Sequence, residues 1–260
     1  MTQILAADEP VAVAVVEAIR GGDVDALRQL LRDHAGLAGA RIRAVDSDGR
    51  EHSSRTLLHV ATDWPGHFPN GPATAAVLTA AGADVDARVA GPHTETPLHW
   101  AASSDDVDVL DVLLDAGADI EAPGAVIAGG TPLDDAVAFG QWQAAHRLVE
   151  RGAHTALWHA AALGLMNHVE AHFAGSPLAG PHPWGAGSDT PPDELTVAFW
   201  CACHGGQRTA ARYLLGRGAP LNWISVWDGL TPLDAARREG HDELAIWLRD
   251  QGARPGSEST

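Results

Sequence analysis

The segment ETPLHWAASSDDVDVLDVLLDAGADIEA (95–122) opens on T-P-L, runs through a short apolar stretch and a polar break, and ends a second apolar stretch on G-A-D. GTPLDDAVAFGQWQAAHRLVERGA (130–153) and LTPLDAARREGHDELAIWLRDQGA (230–253) follow the same pattern. RTLLHVA (55–61) with AVLTAAGADVDA (76–87) is a further copy, split in its middle. TALWHAAALGLMNHVEAHF (155–173) and LTVAFWCACHGGQRTAARYLLGRGA (195–219) are weaker copies. A repeat of this length constrains a chain more than composition does. One unit is too small to bury its own apolar face, so units must stack into a continuous core closed by polar caps.

Local chemistry predicts two helices per copy. Val107, Leu110, Val112, Leu113 and Leu114 form one broad apolar helical face. Thr96 and Thr131 stand before Pro97 and Pro132, as a threonine N-cap stands before a proline in the first helical turn. Gly117, Gly152, Gly218 and Gly252 fall where a second helix needs a left-handed residue to stop. The T-P-L-H-x-A opening, the paired helices and the closing G-A-D resemble the ankyrin repeat, over roughly residues 55–254. The resemblance implies an all-α solenoid of about six copies. A helix pair within 1–38, PVAVAVVEAIR and DVDALRQLLRDH around Gly21–Gly22, caps its N-terminus. Residues 1–254 are then one domain and 255–260 a disordered tail. In such a stack the first helices line a concave face.

Three segments depart from the pattern. Residues 40–54 are long and polar, and read as a connection. Residues 175–193 are rich in Gly and Pro and too long for a plain connection; they read as either a disordered linker or a loop folded over a surface through Trp184. The third is HVATDWPGHFPNG (59–71). Aligned on Thr56 and Gly82, the split copy holds five residues more than the copy between Thr96 and Gly117, and the excess lies in WPGHFPNG. Prolines remove helix hydrogen bonds, so 56–64 and 96–104 are expected as first helices and 65–71 as a non-helical insertion at the rim of the concave face.

That register aims one kind of chemistry at the groove. Asp63, His67, Asp135, His159 and His204 are the candidate acids and bases. Trp64, Phe68, Asn70, Trp100, Ser103, Ser104, Phe139 and Trp227 are the candidate substrate contacts. Indole rings give rigid apolar surface with one donor. A few imidazoles and carboxylates among them are the usual make-up of a small-molecule pocket. Other residues read as scaffold. His59 and His99 occupy the repeat histidine position and bond a neighbouring repeat; Asp134 and Asp234 replace that histidine as local caps. Trp158 and Trp200 also read as replacing it and packing between repeats, Trp142 and Trp247 as core, and Cys201 and Cys203 as small buried apolar residues.

The bulk numbers exclude several functions. All 17 basic residues among the 260 are arginine, which removes Schiff-base chemistry and a phosphate-loop lysine. A net charge of −17 disfavours nucleic acid and anionic membrane as partners. No apolar run is long enough to span a bilayer, and no secretory signal opens the chain. A reducing cytoplasm is the expected compartment. Among the 14 histidines no H-x-x-x-H pair on one helix face has a third ligand nearby, so neither metal nor other cofactor is expected.

The stretches HVATDWPGHFPNG, GPHTETPLHWAASSDD and VAFGQW resemble an actinobacterial subgroup of ankyrin proteins that includes a polyketide-tailoring macrocyclase. The resemblance implies ring closure by dehydration and Michael-type conjugate addition. Read on these residues, the chain is a cofactor-independent enzyme acting by acid–base chemistry on an apolar small molecule in the groove. The alternative is a non-catalytic ankyrin module that binds a protein partner.

Overall fold

The computed structural model describes residues 3–45, 51–91, 93–176, 178 and 192–256. Trp184 and residues 257–260 lie outside the described residues, as does most of the 175–193 segment. The chain divides into two compact units, Met1–Arg151 and Gly152–Thr260.

The first unit is not all helix. Strand β1 (Ile4–Ala6) precedes helices α1 (Pro10–Gly21) and α2 (Val24–Asp33). The supposed connection at 40–54 then supplies β2 (Arg41–Val45) and β3 (Glu51–Thr56). β1 pairs parallel with β2 in the register Ile4↔Arg41, and β2 pairs antiparallel with β3 in the register Arg41↔Thr56. The all-α expectation is corrected here. Ile42 alternates with Arg41 and Arg43 and turns a buried side chain inward, as a strand of period two does. The Arg41 guanidinium fastens the sheet: its Nη2 donates to the Ser54 carbonyl at 2.6 Å and to the Arg88 carbonyl at 2.7 Å.

Three further helix pairs complete the unit: α3 (Leu57–Ala61) with α4 (Gly71–Ala80), α5 (Pro97–Ser103) with α6 (Val107–Asp115), and α7 (Pro132–Ala138) with α8 (Trp142–Glu150). First helices stack in the row α1, α3, α5, α7, and second helices in the row α2, α4, α6, α8. Leu58, Leu78, Leu98, Leu110, Leu113 and Leu133 fill the space between them. The second unit repeats the pairing in α9 (Leu157–Ala162) with α10 (Met166–Phe173), α11 (Glu194–His204) with α12 (Arg208–Leu215), and α13 (Pro232–Arg238) with α14 (Asp242–Asp250). Its core holds Phe199, Ala202, Leu214, Leu233 and Leu248.

One hydrogen-bonding device starts the first helices. Thr131 accepts from the Asp134 amide and donates from its Oγ1 to Asp134 Oδ2 at 2.9 Å; Thr231 and Asp234 repeat this. At Thr96 a histidine does the work: the Thr96 amide donates to His99 Nδ1 at 3.1 Å. The opposite ring nitrogen, Nε2, donates to the Gly130 carbonyl, 3.3 Å away at the start of the next pair. His59 does the same for Thr56 and the Glu95 carbonyl. Burial holds both imidazoles neutral, with pKa values lowered to about 3 for His59 and about 4 for His99. The four glycines expected to stop second helices all have φ between 93° and 101°.

The sequence register fails at one start. Trp158 was placed at the repeat histidine position, but His159 takes the capping role there, its Nδ1 accepting from the Ala156 amide at 3.0 Å. Trp142 and Trp247 are half-buried rather than core. Trp158 and Trp200 are the fully buried indoles among the described residues.

Candidate functional site

The insertion after α3 is a packed loop. α3 stops at Ala61, three residues short of the end expected at 64, and 62–70 is non-helical. Two glycines let the loop lie down. A Cβ at Gly22 would overlap the Pro69 carbonyl, and one at Gly66 would press on Ser104; both glycines have positive φ. The polar side chains of the loop then hold it in place. His67 donates from its amide to Asp106 Oδ2 at 2.7 Å and from Nε2 to the Ser104 carbonyl at 3.1 Å. Asn70 donates from Nδ2 to the Gly22 carbonyl at 2.9 Å. The ring of Phe68 is half-buried, and neither it nor His67 nor Asn70 lines a pocket with the other candidates.

What the loop does build is a wall. A cavity of about 280 Å³ in the first unit is lined by Thr62, Asp63, Trp64, Glu95, Trp100, Ser103, Ser104, Val126 and Phe139. Its volume is at the lower end of ligand pockets, and its lining is mostly apolar. Five of the eight expected substrate contacts meet here: Trp64, Trp100, Ser103, Ser104 and Phe139. Trp64 is 80% exposed, as a rim residue is, and Phe139 and Val126 are also exposed. Trp100 is half-buried and packs edge-on to His59, ring centroids 5.0 Å apart. Trp227 belongs to the second unit, where it packs against Trp200 and Trp223.

The five expected acid–base residues divide between the two units, Asp63, His67 and Asp135 in the first and His159 and His204 in the second. Asp63 lines the cavity, but its Oδ2 accepts from Arg20 at 2.8 Å and from Arg55 at 2.7 Å, so its charge is matched by two guanidiniums. His159 and His204 lie in the second unit, both buried. His159 stacks on Trp158 besides capping α9. His204 Nδ1 sits 3.3 Å from Arg238 Nη2 and 3.5 Å from Glu239 Oε1. Cys201 and Cys203 are buried, and burial pushes their thiols up, away from reactivity.

Asp135 differs from these. It is 0% exposed; its Oδ1 accepts from the Ile127 amide at 3.4 Å, and its Oδ2 has no hydrogen-bond partner among the described residues. Burial, and then the charge of Glu95, push its carboxyl up to about 8. Glu95 is the residue that sequence reasoning missed. It stands directly before the Thr96 cap, is 9% exposed and lines the cavity. Burial raises its pKa too, against the opposing bond from the Trp100 indole and the charge of His93. A signal existed in the sequence. The residue before the cap is Arg55, Gly130, Thr155 and Leu230 in other copies, so a carboxylate stands there in this copy alone among those five.

Residues 93–125 match the family model of the ankyrin repeat. That segment is similar to one ankyrin repeat. That repeat comprises α5 and α6 and contributes Glu95, Trp100, Ser103 and Ser104 to the cavity. No curated protein matches the chain. Among the described residues no helix is long and apolar enough to cross a membrane.

Proposed function

We propose that the first unit binds an apolar small molecule in the cavity between Trp64, Trp100 and Phe139 and moves a proton on it through Glu95. Asp135, whose buried carboxyl is coupled to that of Glu95, acts as a positioning residue. The observation that carries this reading is a pair of buried carboxyls with raised pKa values at an apolar pocket, one with an oxygen that nothing in the described residues satisfies. Buried carboxyls of this kind cost stability, and pKa values pushed toward neutrality are what proton transfer at neutral pH requires. Dehydration of a β-hydroxy carbonyl compound needs a base to take the α-proton and an acid to protonate the departing hydroxyl. Conjugate addition to the resulting enone needs the same two roles and no cofactor. Ring closure in polyketide assembly is the narrower form of this reading.

The test is proton exchange. An apolar β-hydroxy ketone in D₂O should exchange its α-proton faster with the protein than with buffer. Glu95→Gln should remove that excess, and Asp135→Asn should move the pH profile to lower pH, since a neighbouring carboxyl has gone. Absence of any excess exchange over a panel of such ketones rejects the catalytic reading.

A second reading rests on the repeat itself. Ankyrin repeats typically mediate protein interactions, and a tryptophan 80% exposed at a rim is suited to a protein interface. On that reading the cavity receives an apolar side chain of the partner, Trp64→Ala weakens the complex, and no proton exchange is seen.

A further inference from the structure

The charges around the cavity say more about its ligand than its apolar walls do. The formal charges in the lining are those of Asp63 and Glu95; no arginine or histidine is part of it. Asp63 is already matched by Arg20 and Arg55. Glu95 has no guanidinium partner among the described residues and accepts from the Trp100 indole. Ser103 Oγ, also in the lining, is buried without a hydrogen-bond partner. Behind Glu95 lies Asp135, fully buried with one unsatisfied oxygen. The cavity thus offers acceptor oxygens, aromatic faces and one carboxyl without a guanidinium partner among the described residues, in a chain of net charge −17. A carboxylate or phosphate ligand would meet like charge here. A cation would meet ring faces, a carboxylate and a free hydroxyl oxygen.

We propose that the ligand is an apolar amine, its ammonium group seated against Glu95 and Ser103 and its hydrocarbon body against Trp64, Trp100 and Phe139. The proposal rests on the reading of the cavity as a small-molecule site and names the class of molecule. It also supplies what that reading needs. Burial favours the protonated form of the Glu95 carboxyl, whereas an ammonium beside it favours the ionised form, so the ligand shifts Glu95 toward acting as a base. The groups that face the pair are His93 on the preceding loop, the neutral His59 of α3 at the Glu95 carbonyl, and Asp134 of α7. Arg88 donates to the Thr94 carbonyl and Arg55 to Asp63, and neither guanidinium bonds the Glu95 carboxyl among the described residues.

A matched pair of probes tests this: 3-phenylpropylamine and 3-phenylpropan-1-ol, which share a hydrocarbon body and differ in charge. Titration calorimetry at pH 7.5 should show the amine binding about tenfold or more tighter, the range of a charge-assisted hydrogen bond plus cation–π contact. Glu95→Gln should bring the two affinities within about twofold by weakening the amine alone, with circular dichroism confirming the fold. The wild-type comparison decides the matter even should that variant not fold. Equal affinities, or a tighter alcohol, overturn the amine proposal while leaving a small-molecule cavity. Binding of neither probe overturns both.

Discussion

Replacing Asp135 by asparagine should make this protein more stable at high pH, although it removes a native buried group. The wild-type carboxyl is lifted from an ordinary 3.8 to about 8, first by burial. Its folded-state pKa therefore lies above its unfolded value, and the folded chain holds the proton more tightly between those limits. Stability from this group is complete below about pH 4 and is lost as pH rises to about 8. The full span corresponds to roughly 6 kcal/mol at ~1.36 kcal/mol per pH unit, a large share of a domain's stability. Asparagine has the same shape and no charge to bury. Its oxygen keeps the bond from Ile127, while its amide nitrogen replaces an oxygen that had no partner among the described residues. An unmatched amide costs about 1–3 kcal/mol at every pH. Urea unfolding at half-unit steps from pH 5 to 9 is the assay. The variant should be slightly weaker than wild type at pH 5 and several kcal/mol stronger at pH 9, the difference growing across the window. A difference constant to within about 1 kcal/mol over that range would refute the assignment of Asp135 as a buried, neutral carboxyl.

Three further outcomes are expected. His59 and His99 have folded-state pKa values depressed to about 3 and about 4, so the stability they hold at neutral pH is lost as pH falls below about 6.5; with Asp135 acting oppositely, these three groups place maximal stability of the first unit near pH 6.5, readable from melting temperature against pH. Trp64→Ala should leave the melting temperature nearly unchanged, because the side chain is 80% exposed, while abolishing quenching by an apolar ligand; Trp158→Ala, at 1% exposure, should cost about 3–5 kcal/mol in urea unfolding. Thr131→Ala should cost about 1 kcal/mol through the lost N-cap, and an unchanged unfolding midpoint would count against the capping bond with Asp134.

Much of the scaffold was legible because it is written in short-range chemistry. Thr-Pro starts, glycine stops and the spacing of Leu110 and Leu113 act within a turn or two of chain, so the paired helices and a break over 65–70 could be read without a fold, whereas the early end of α3 at Ala61 could not. So could the gathering of Trp64, Trp100, Ser103, Ser104 and Phe139, since equivalent positions in stacked copies face the same way. The sheet could not. Arg41–Val45 is short and half polar, and becomes a strand only because Ile4–Ala6 and Glu51–Thr56 flank it. The pairing of Asp63 with Arg20 spans 43 residues and is invisible to spacing, as is the role of His67 in fastening a loop to Ser104. His159 was misjudged because a helix start there shifted by one residue. Above all, no sequence pattern gives Glu95 and Asp135 their acidity. An isolated carboxyl titrates near 4 whatever its neighbours in the chain; only packing that removes water and brings the two charges together raises it, and that packing exists only once the helices have stacked.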